Sequence, residues 1–149
     1  MAVALDIAHV RTYEGECSMK LESAAYYSTK DLEIPVILKD NTLDTTEILR
    51  NVIKLYKKGE KKADVASAGQ AAVSKGLCEL AIKYADKCKL SDIGATGGVF
   101  YNEAISTYVK NYIEENGYNF REHINTCAGD GSISLGQSII AKHKLTKFC

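Results

Sequence analysis

The sequence has no excess of either charge, and this limits the partners it can attract. Lysine and arginine together number 19, and aspartate and glutamate together also number 19. Without net charge there is no long-range field to gather nucleic acid or an anionic membrane. No apolar run reaches transmembrane length, and the apolar N-terminus is interrupted by Asp6 and lacks the basic start of a signal peptide. We therefore expect neither a nucleic-acid partner nor a membrane partner.

Metal-binding and redox motifs are also absent. The five cysteines are widely spaced and form no CxxC pair, so neither a zinc ribbon nor a redox motif is supported. We interpret them as reduced thiols of a cytoplasmic protein. Cys127 precedes a glycine loop and could be considered a nucleophile, but the sequence ties no histidine or carboxylate to it, which favours an inert thiol. The three histidines are too far apart for a local metal motif.

Common nucleotide-binding and hydrolase motifs are missing as well. There is no GxxxxGK[ST] loop, so a P-loop NTPase is unsupported. Gly94, Gly97 and Gly98 do not have the GxGxxG spacing of dinucleotide-binding proteins. No GxSxG elbow is present, which argues against an esterase or lipase.

Helical and extended segments alternate along the 149 residues, which suits one α/β domain with a core of ordinary size. Hydrophobic periodicity predicts helices over about residues 17–28, 45–57, 62–87, 101–115 and 133 onwards. Strands are predicted over residues 34–38, 91–95 and 118–124, with a hairpin over residues 37–43, and residues 1–10 are interpreted as a short strand or helix end.

Three local signals sharpen these boundaries. Asp44 or Thr45 is suited to cap the second helix, and the pair Asn116 and Gly117 to end the fourth. The small residues between positions 63 and 72 predict close packing of the long third helix. Its predicted buried face consists of Val73, Leu77, Leu80, Ala81 and Tyr84.

The chain is organised around residues 91–102, which read SDIGATGGVFYN. The pattern indicates a buried strand, a turn at Gly97 and Gly98, and a helix start, a geometry that suits a phosphate. A second glycine loop, residues 128–132, also precedes a helix. Both loops follow strands of a βαβ unit, so they should meet at one sheet edge and share a nucleotide and metal site. The alternative is two ordinary strand-to-helix turns.

Two polar residues are the chemical candidates in these loops. Asp130 lies between two glycines, where its carboxylate could hold a divalent cation beside phosphate oxygens. The alternative role for Asp130 is to cap the last helix. Asn102 could contact a ligand through its amide or simply hydrogen-bond the turn. We interpret Glu14 and Glu16, in an earlier turn, as no more than solvated acids.

Three motifs in order resemble the C-terminal part of the HypF family of carbamoyltransferases. Residues 12–22 read TYEGECSMKLE, residues 96–102 read TGGVFYN, and residues 129–137 read GDGSISLGQ. The family patterns run like YEGxxAxxLE, SGGVFxN and NDGGxxLGQ. The resemblance extends from about residue 10 to residue 143, and the second and third motifs together are fairly specific.

The resemblance implies a fold and an activity. The family's corresponding domain has the actin-like, ribonuclease-H-like ATPase fold, and this chain is similar to its second lobe, a mixed sheet flanked by helices. Family members use ATP and carbamoyl phosphate to form a carbamoyl-adenylate in nickel–iron hydrogenase maturation. The carbamoyl group passes to a C-terminal cysteine of a partner protein. By motif, the nucleotide contacts would be Gly97, Gly98 and Asn102, with Tyr13, Glu14 and Gly15 near the ribose or base, and the metal ligand would be Asp130.

The chain also departs from the family pattern. It has no HxxxH motif, which in the family lies in the first lobe and supplies metal ligands, and Ser132 replaces a glycine. We therefore expect the chain alone to be inactive and to need the missing N-terminal lobe or domains. The alternative is a stand-alone, non-catalytic module that binds nucleotide or a partner. The face left open by the missing lobe could also pair with a second copy, giving a homodimer.

Overall fold

The computed structural model describes residues 1–145, which form an α/β fold of five α-helices, four short strands and two 3₁₀ helices; Cys149 lies outside the described residues. The α-helices are α1 (Glu16–Tyr26), α2 (Thr45–Lys57), α3 (Lys62–Cys88), α4 (Glu103–Glu115) and α5 (Ile133–Leu145). The strands are β1 (Leu38–Lys39), β2 (Thr42–Leu43), β3 (Asp92–Gly94) and β4 (Asn119–Arg121). The 3₁₀ helices are Gly98–Tyr101 and Asp130–Ser132.

Helix α3 is the central element, and α1, α2 and α4 all pack against it. Small residues make this close packing possible: a Cβ added at Gly69 would lie 3.1 Å from Val52 Cγ2, and one at Gly76 would lie 2.9 Å from Leu43 Cδ2. The predicted close packing of residues 63–72 is therefore confirmed. Most of the α3 residues that the structure buries are small or polar.

The predicted buried face of α3 is partly wrong. Leu77 and Tyr84 are 55% and 43% exposed, whereas Val73 and Leu80 lie at the margin of the core. The error has a physical reason. Neighbouring elements pack on the alanine and glycine side of α3, so Leu77 and Tyr84 face away from that contact and are exposed.

The N-terminal segment belongs to the core, although it forms neither the predicted strand nor a helix. Residues 1–8 make successive turns, with hydrogen bonds such as Leu5 N to Met1 O at 3.0 Å. The Leu5 side chain is fully buried in the same cluster as Ile48, Val52 and Val65. Burial, rather than regular secondary structure, thus holds this segment in place.

The predicted hairpin is confirmed, but the strand before it is wrong. Strands β1 and β2 are antiparallel, with Leu38 paired to Leu43 and Asp40 in the left-handed conformation at the turn (φ 57°). Residues 34–37 form no regular secondary structure. Of the two alternative capping residues predicted, Asp44 caps α2: its side chain accepts a hydrogen bond from Glu47 N at 3.1 Å.

Strand β3 precedes α4 in the chain and β4 follows it. The two strands pair in parallel, with Ile93 opposite Phe120, so the predicted βαβ order is confirmed. The expectation of a buried β3 is wrong, because Ile93 is half-buried and its two neighbours in the strand are exposed. The expected single mixed sheet is also wrong for residues 1–145, where the strands form two separate two-stranded pairs. Gly117 follows α4 with φ 87°, as predicted for the end of that helix.

Helix α5 carries apolar residues that the described chain leaves uncovered. The predicted helix markers Leu135, Ile139 and Ile140 are 47%, 60% and 60% exposed, and Ile133 is 54% exposed. Helix α5 packs chiefly on the 3₁₀ helix that precedes it. Across residues 1–145, none of the helices has both the length and the apolar character needed to cross a lipid bilayer.

Candidate functional site

The two glycine loops contact each other beyond the ends of β3 and β4. Gly97 N donates a hydrogen bond to Ala128 O at 2.7 Å, and Thr96 Oγ1 donates to the same oxygen at 3.1 Å. Gly129 N donates to the Tyr101 hydroxyl at 3.3 Å. The prediction that both loops lie at one edge of the parallel strand pair is therefore confirmed. Parallel pairing produces this result because it brings the carboxyl ends of both strands together.

The first loop is open where a ligand could approach it. Gly97 has φ 110°, a conformation that favours glycine. A Cβ added at Gly97 or at Gly98 would meet no described atom within 4 Å. Packing within residues 1–145 therefore does not require a glycine at position 98. The contact of Gly97 and Gly98 with a nucleotide stays a prediction.

The second loop is packed more tightly. A Cβ at Gly129 would lie 2.7 Å from the Tyr101 ring, and one at Gly131 would lie 2.9 Å from Cys127 Sγ. The Ser132 hydroxyl donates to Cys127 O at 2.8 Å. This serine, which departs from the family pattern, therefore hydrogen-bonds within the turn.

Asp130 lies exposed at the tip of the second loop. Among residues 1–145 its carboxylate has no hydrogen-bond or ion-pair partner, so the helix-capping alternative gains no support from the geometry. No group of three histidine, cysteine, aspartate or glutamate residues in this range is arranged to hold a metal. Asp130 is chemically suited to be one oxygen ligand, and any further ligands would have to come from outside the described residues.

The thiol of Cys127 has a lowered pKa, but no histidine within residues 1–145 hydrogen-bonds to it. Its Sγ lies 3.1 Å from Ser132 Oγ, and hydrogen bonds with Ser132 and then Tyr101 lower the pKa of the thiol. His123, the nearest histidine in sequence, instead contacts Thr126 and Thr96 hydroxyls, each at 3.0 Å. The geometry therefore gives no support to a cysteine–histidine catalytic pair at this loop.

Asn102 connects the first loop to the long helix. It is 8% exposed, and its Oδ1 accepts a hydrogen bond from Ile105 N at 2.9 Å, so it caps α4. Its Nδ2 donates to the buried Gln70 Oε1, also at 2.9 Å. The turn-bonding role considered from the sequence is therefore present. Gln70 was not among the residues predicted from the sequence. A long polar side chain within a run of small residues was the pattern that could have indicated a buried polar contact there.

A groove of about 560 Å³ runs between α1, α3 and α4, and it is lined from Glu103, the first residue of the helix that follows the first glycine loop. Its lining includes Glu22, Tyr26, Gln70, Ser74, Glu103 and Tyr108. Glu22 Oε1 accepts a hydrogen bond from Glu103 N at 2.9 Å, which draws α1 onto the N-terminus of α4. The sequence did not reveal this groove, since its walls come from helices far apart along the chain.

Tyr13, Glu14 and Gly15 lie at the start of α1 and are not among the lining residues of the groove. Tyr13 and Glu14 are exposed, and Gly15 has φ 83°. Their proposed place near the ribose or base stays a prediction. The interpretation of Glu16 as a solvated acid is wrong: Glu16 is only 6% exposed.

Glu16 is held by three hydrogen bonds. Its carboxylate accepts from Lys20 Nζ at 2.6 Å, and from the backbone N–H and hydroxyl of Thr12. These bonds, Lys20 first, lower the pKa of Glu16 from its ordinary 4.5 to about 2. Glu16 therefore fixes the turn that contains Tyr13, Glu14 and Gly15.

We expect Glu16→Gln to lower the midpoint of thermal unfolding at pH 7. Because the folded-state pKa lies below the unfolded value, the stabilisation is complete above about pH 4.5 and is lost as the pH falls towards 2. The difference between parent and variant should therefore shrink over that range in thermal melts. A difference that stays constant with pH would contradict this role, and the exposed neighbour Glu14→Gln is the control.

Comparisons with known proteins show the family to which the chain belongs. Residues 1–137 match the family described as carbamoyltransferase, Kae1-like domain, second subdomain. This chain belongs to the HypF carbamoyltransferase family. It is 34% identical over 139 residues to a Methanocaldococcus jannaschii protein described as a probable carbamoyltransferase HypF, and 28% identical over 146 residues to the carbamoyltransferase HypF of Rhodobacter capsulatus.

Two solved HypF structures are similar to the chain along nearly its whole length. HypF of T. kodakarensis has a TM-score of 0.85 at 24% identity and covers 99% of the chain. A full-length HypF solved in its phosphate- and nucleotide-bound form has a TM-score of 0.84 at 25% identity and covers 97%. The chain spans about a fifth of the length of these relatives: 18% and 19% of the two curated proteins, and 20% and 19% of the two solved chains.

Proposed function

We propose that the chain is the nucleotide- and metal-binding lobe of an ATP-dependent carbamoyltransferase that uses carbamoyl phosphate in hydrogenase maturation. Its fold in this proposal is one lobe of an actin-like, ribonuclease-H-like ATPase. The observation that carries the proposal is the open Gly97–Gly98 turn, followed in the chain by a helix that lines a ligand-sized groove, in a member of the HypF family.

The shape of the groove supports a nucleotide. Its lining follows α4 from Glu103 to Asn111, eight steps along the helix or roughly 12 Å, and Glu103 comes five positions after Gly98. In this arrangement the phosphates lie at Gly97 and Gly98, and the nucleoside lies along the groove. The carboxylate of Glu22, at the same end as the turn, is suited to accept hydrogen bonds from ribose hydroxyls.

Asp130 would supply one ligand of a divalent metal. The carboxylate is exposed, lies in the loop that contacts the glycine turn, and has no partner within residues 1–145. When bound, such a metal neutralises phosphate charge and orients the phosphate oxygens. The remaining ligands would come from the first subdomain of the same domain, because this chain matches the second subdomain.

Partner proteins are also part of the proposed function. The exposed apolar residues of α5 form a surface that the first subdomain would cover, and a second copy of the chain is the other candidate. The carbamoyl acceptor would be the cysteine of a hydrogenase maturation protein. The four described cysteines are unpaired, in keeping with the reducing cytoplasm that we propose as the location.

A non-catalytic nucleotide- or partner-binding module is the second candidate. It is favoured by the incomplete metal site, since no group of three ligands forms within residues 1–145. The two candidates differ in one respect: a carbamoyltransferase lobe gains activity when it is joined to the first subdomain, whereas a binding module does not.

Gly98→Val tests the nucleotide site. The variant is placed in the two-subdomain protein, meaning this chain together with the first subdomain of the same domain. We expect ATP to bind at least about tenfold more weakly, roughly 1.4 kcal/mol, because the valine occupies space that the phosphates need. The unfolding midpoint should hardly change, since a Cβ at this position meets no described atom within 4 Å.

Isothermal titration calorimetry with ATP and magnesium measures this affinity. The matched control is Gly94→Val, four residues earlier, where a Cβ makes only ordinary contact with Arg121 at 3.5 Å and valine suits a strand. Unchanged ATP affinity in Gly98→Val would rule out a phosphate contact at this turn.

A further inference from the structure

Ser74 is a buried polar residue without a partner. It is 2% exposed, and its Oγ has no hydrogen bond within residues 1–145. Buried hydroxyls are nearly always hydrogen-bonded, and a serine within a helix commonly bonds the carbonyl four residues earlier, here that of Gln70. Ser74 makes no such bond, and it lines the groove. A ligand that reached the Ser74 hydroxyl from the groove would supply the missing partner.

The position of Ser74 along the groove indicates which part of a ligand it meets. Helices α3 and α4 run in the same direction, since Gln70 pairs with Asn102 near their upstream contact and Glu79 with Tyr112 further along. Ser74 lies one turn beyond Gln70, roughly 6 Å further along α3 and therefore further from the N-terminus of α4. Phosphates at the turn would leave Ser74 beside the nucleoside.

The walls around Ser74 suit a flat ring. Tyr108 and Tyr26 line the groove from α4 and α1, together with the alanines Ala25 and Ala71. Tyr26 is 85% exposed, so its ring is accessible at the edge of the groove. Aromatic and small apolar surface beside a few polar groups is typical of a site that binds a heteroaromatic ring and orients it by hydrogen bonds.

We propose that Ser74 is a base-binding residue: its hydroxyl forms a hydrogen bond with the polar edge of the purine base of a nucleotide held in this groove. The inference rests on the proposed nucleotide function and extends it to a residue that no family motif contains. A hydroxyl can donate to a ring nitrogen or accept from an exocyclic amine, so it can pair with either kind of group on the base.

Ser74→Ala in the two-subdomain protein tests the proposal. We expect ATP affinity to fall about fivefold, the size of one net hydrogen bond. Affinity for inorganic tripolyphosphate, which has no base, should stay the same. The unfolding midpoint without ligand should stay the same or rise, because alanine favours the helix and removes an unpaired buried hydroxyl. A purely structural serine would instead lower the midpoint.

Ser23→Ala is the matched control, because Ser23 is an exposed helical serine on α1 and is not among the residues that line the groove. It should retain the parent's ATP affinity. Unchanged ATP affinity in Ser74→Ala, or an equal loss of ATP and tripolyphosphate affinity, overturns the base-binding role while leaving the nucleotide site intact. A parent protein that binds neither probe overturns the proposed function and this inference together.

Discussion

Replacing Asp130 with asparagine is expected to reduce carbamoyl transfer by the two-subdomain protein by at least about 100-fold. Losing a residue behind a metal ligand already costs 10–100-fold, so losing a ligand itself should reach the upper end of that range. Asparagine keeps the shape and capping ability of aspartate but removes the charge. Because the Asp130 carboxylate has no partner within residues 1–145, the unfolding midpoint should hardly change.

Metal content by mass spectrometry, measured alongside the transfer rate, separates the two roles of Asp130. The expected result is loss of both bound metal and activity at an unchanged unfolding midpoint. Asp40→Asn is the matched control: Asp40 is exposed in a left-handed hairpin turn, a conformation that asparagine tolerates. Retention of metal and transfer in Asp130→Asn would reduce Asp130 to a turn residue.

Leu5→Ala should give the largest loss of stability among single substitutions in the N-terminal segment. Leu5 is fully buried and belongs to the core formed mainly by α2 and α3. Truncating a buried leucine removes apolar contacts and leaves a cavity, which costs about 2–5 kcal/mol of unfolding free energy. Urea denaturation followed by circular dichroism measures this quantity.

The control for Leu5→Ala is Val10→Ala, since Val10 is 71% exposed. Its substitution should change the unfolding free energy by about 0.5 kcal/mol or less. A loss in Leu5→Ala as small as that of the control would show that residues 1–8 are not part of the stable core.

Local signals in the sequence were sufficient for much of the fold. Asp44 has the side chain and position of a helix cap, and it caps α2. Gly117 takes the positive φ that ends α4. The meeting of the two glycine loops followed from one topological rule, because parallel strands joined by a helix place both following loops at the same edge.

The remaining features depend on tertiary packing. Leu77 fits a helical apolar stripe but is exposed, because the neighbouring helices pack on the alanine and glycine side of α3. Gln70 and Asn102 are 32 residues apart, and their hydrogen bond needs α3 and α4 already side by side. The groove likewise exists only once three helices have assembled, so no short motif encodes it.

In the proposed function this chain supplies one half of a nucleotide and metal site. Calorimetric titration of ATP and magnesium into the 149-residue chain and into the two-subdomain protein tests it most directly. A single open lobe leaves much of the ligand in water, so we expect the chain alone to bind ATP at least about tenfold more weakly than the two-subdomain protein. Micromolar ATP affinity in the 149-residue chain, unchanged when the first subdomain is added, would contradict the claim.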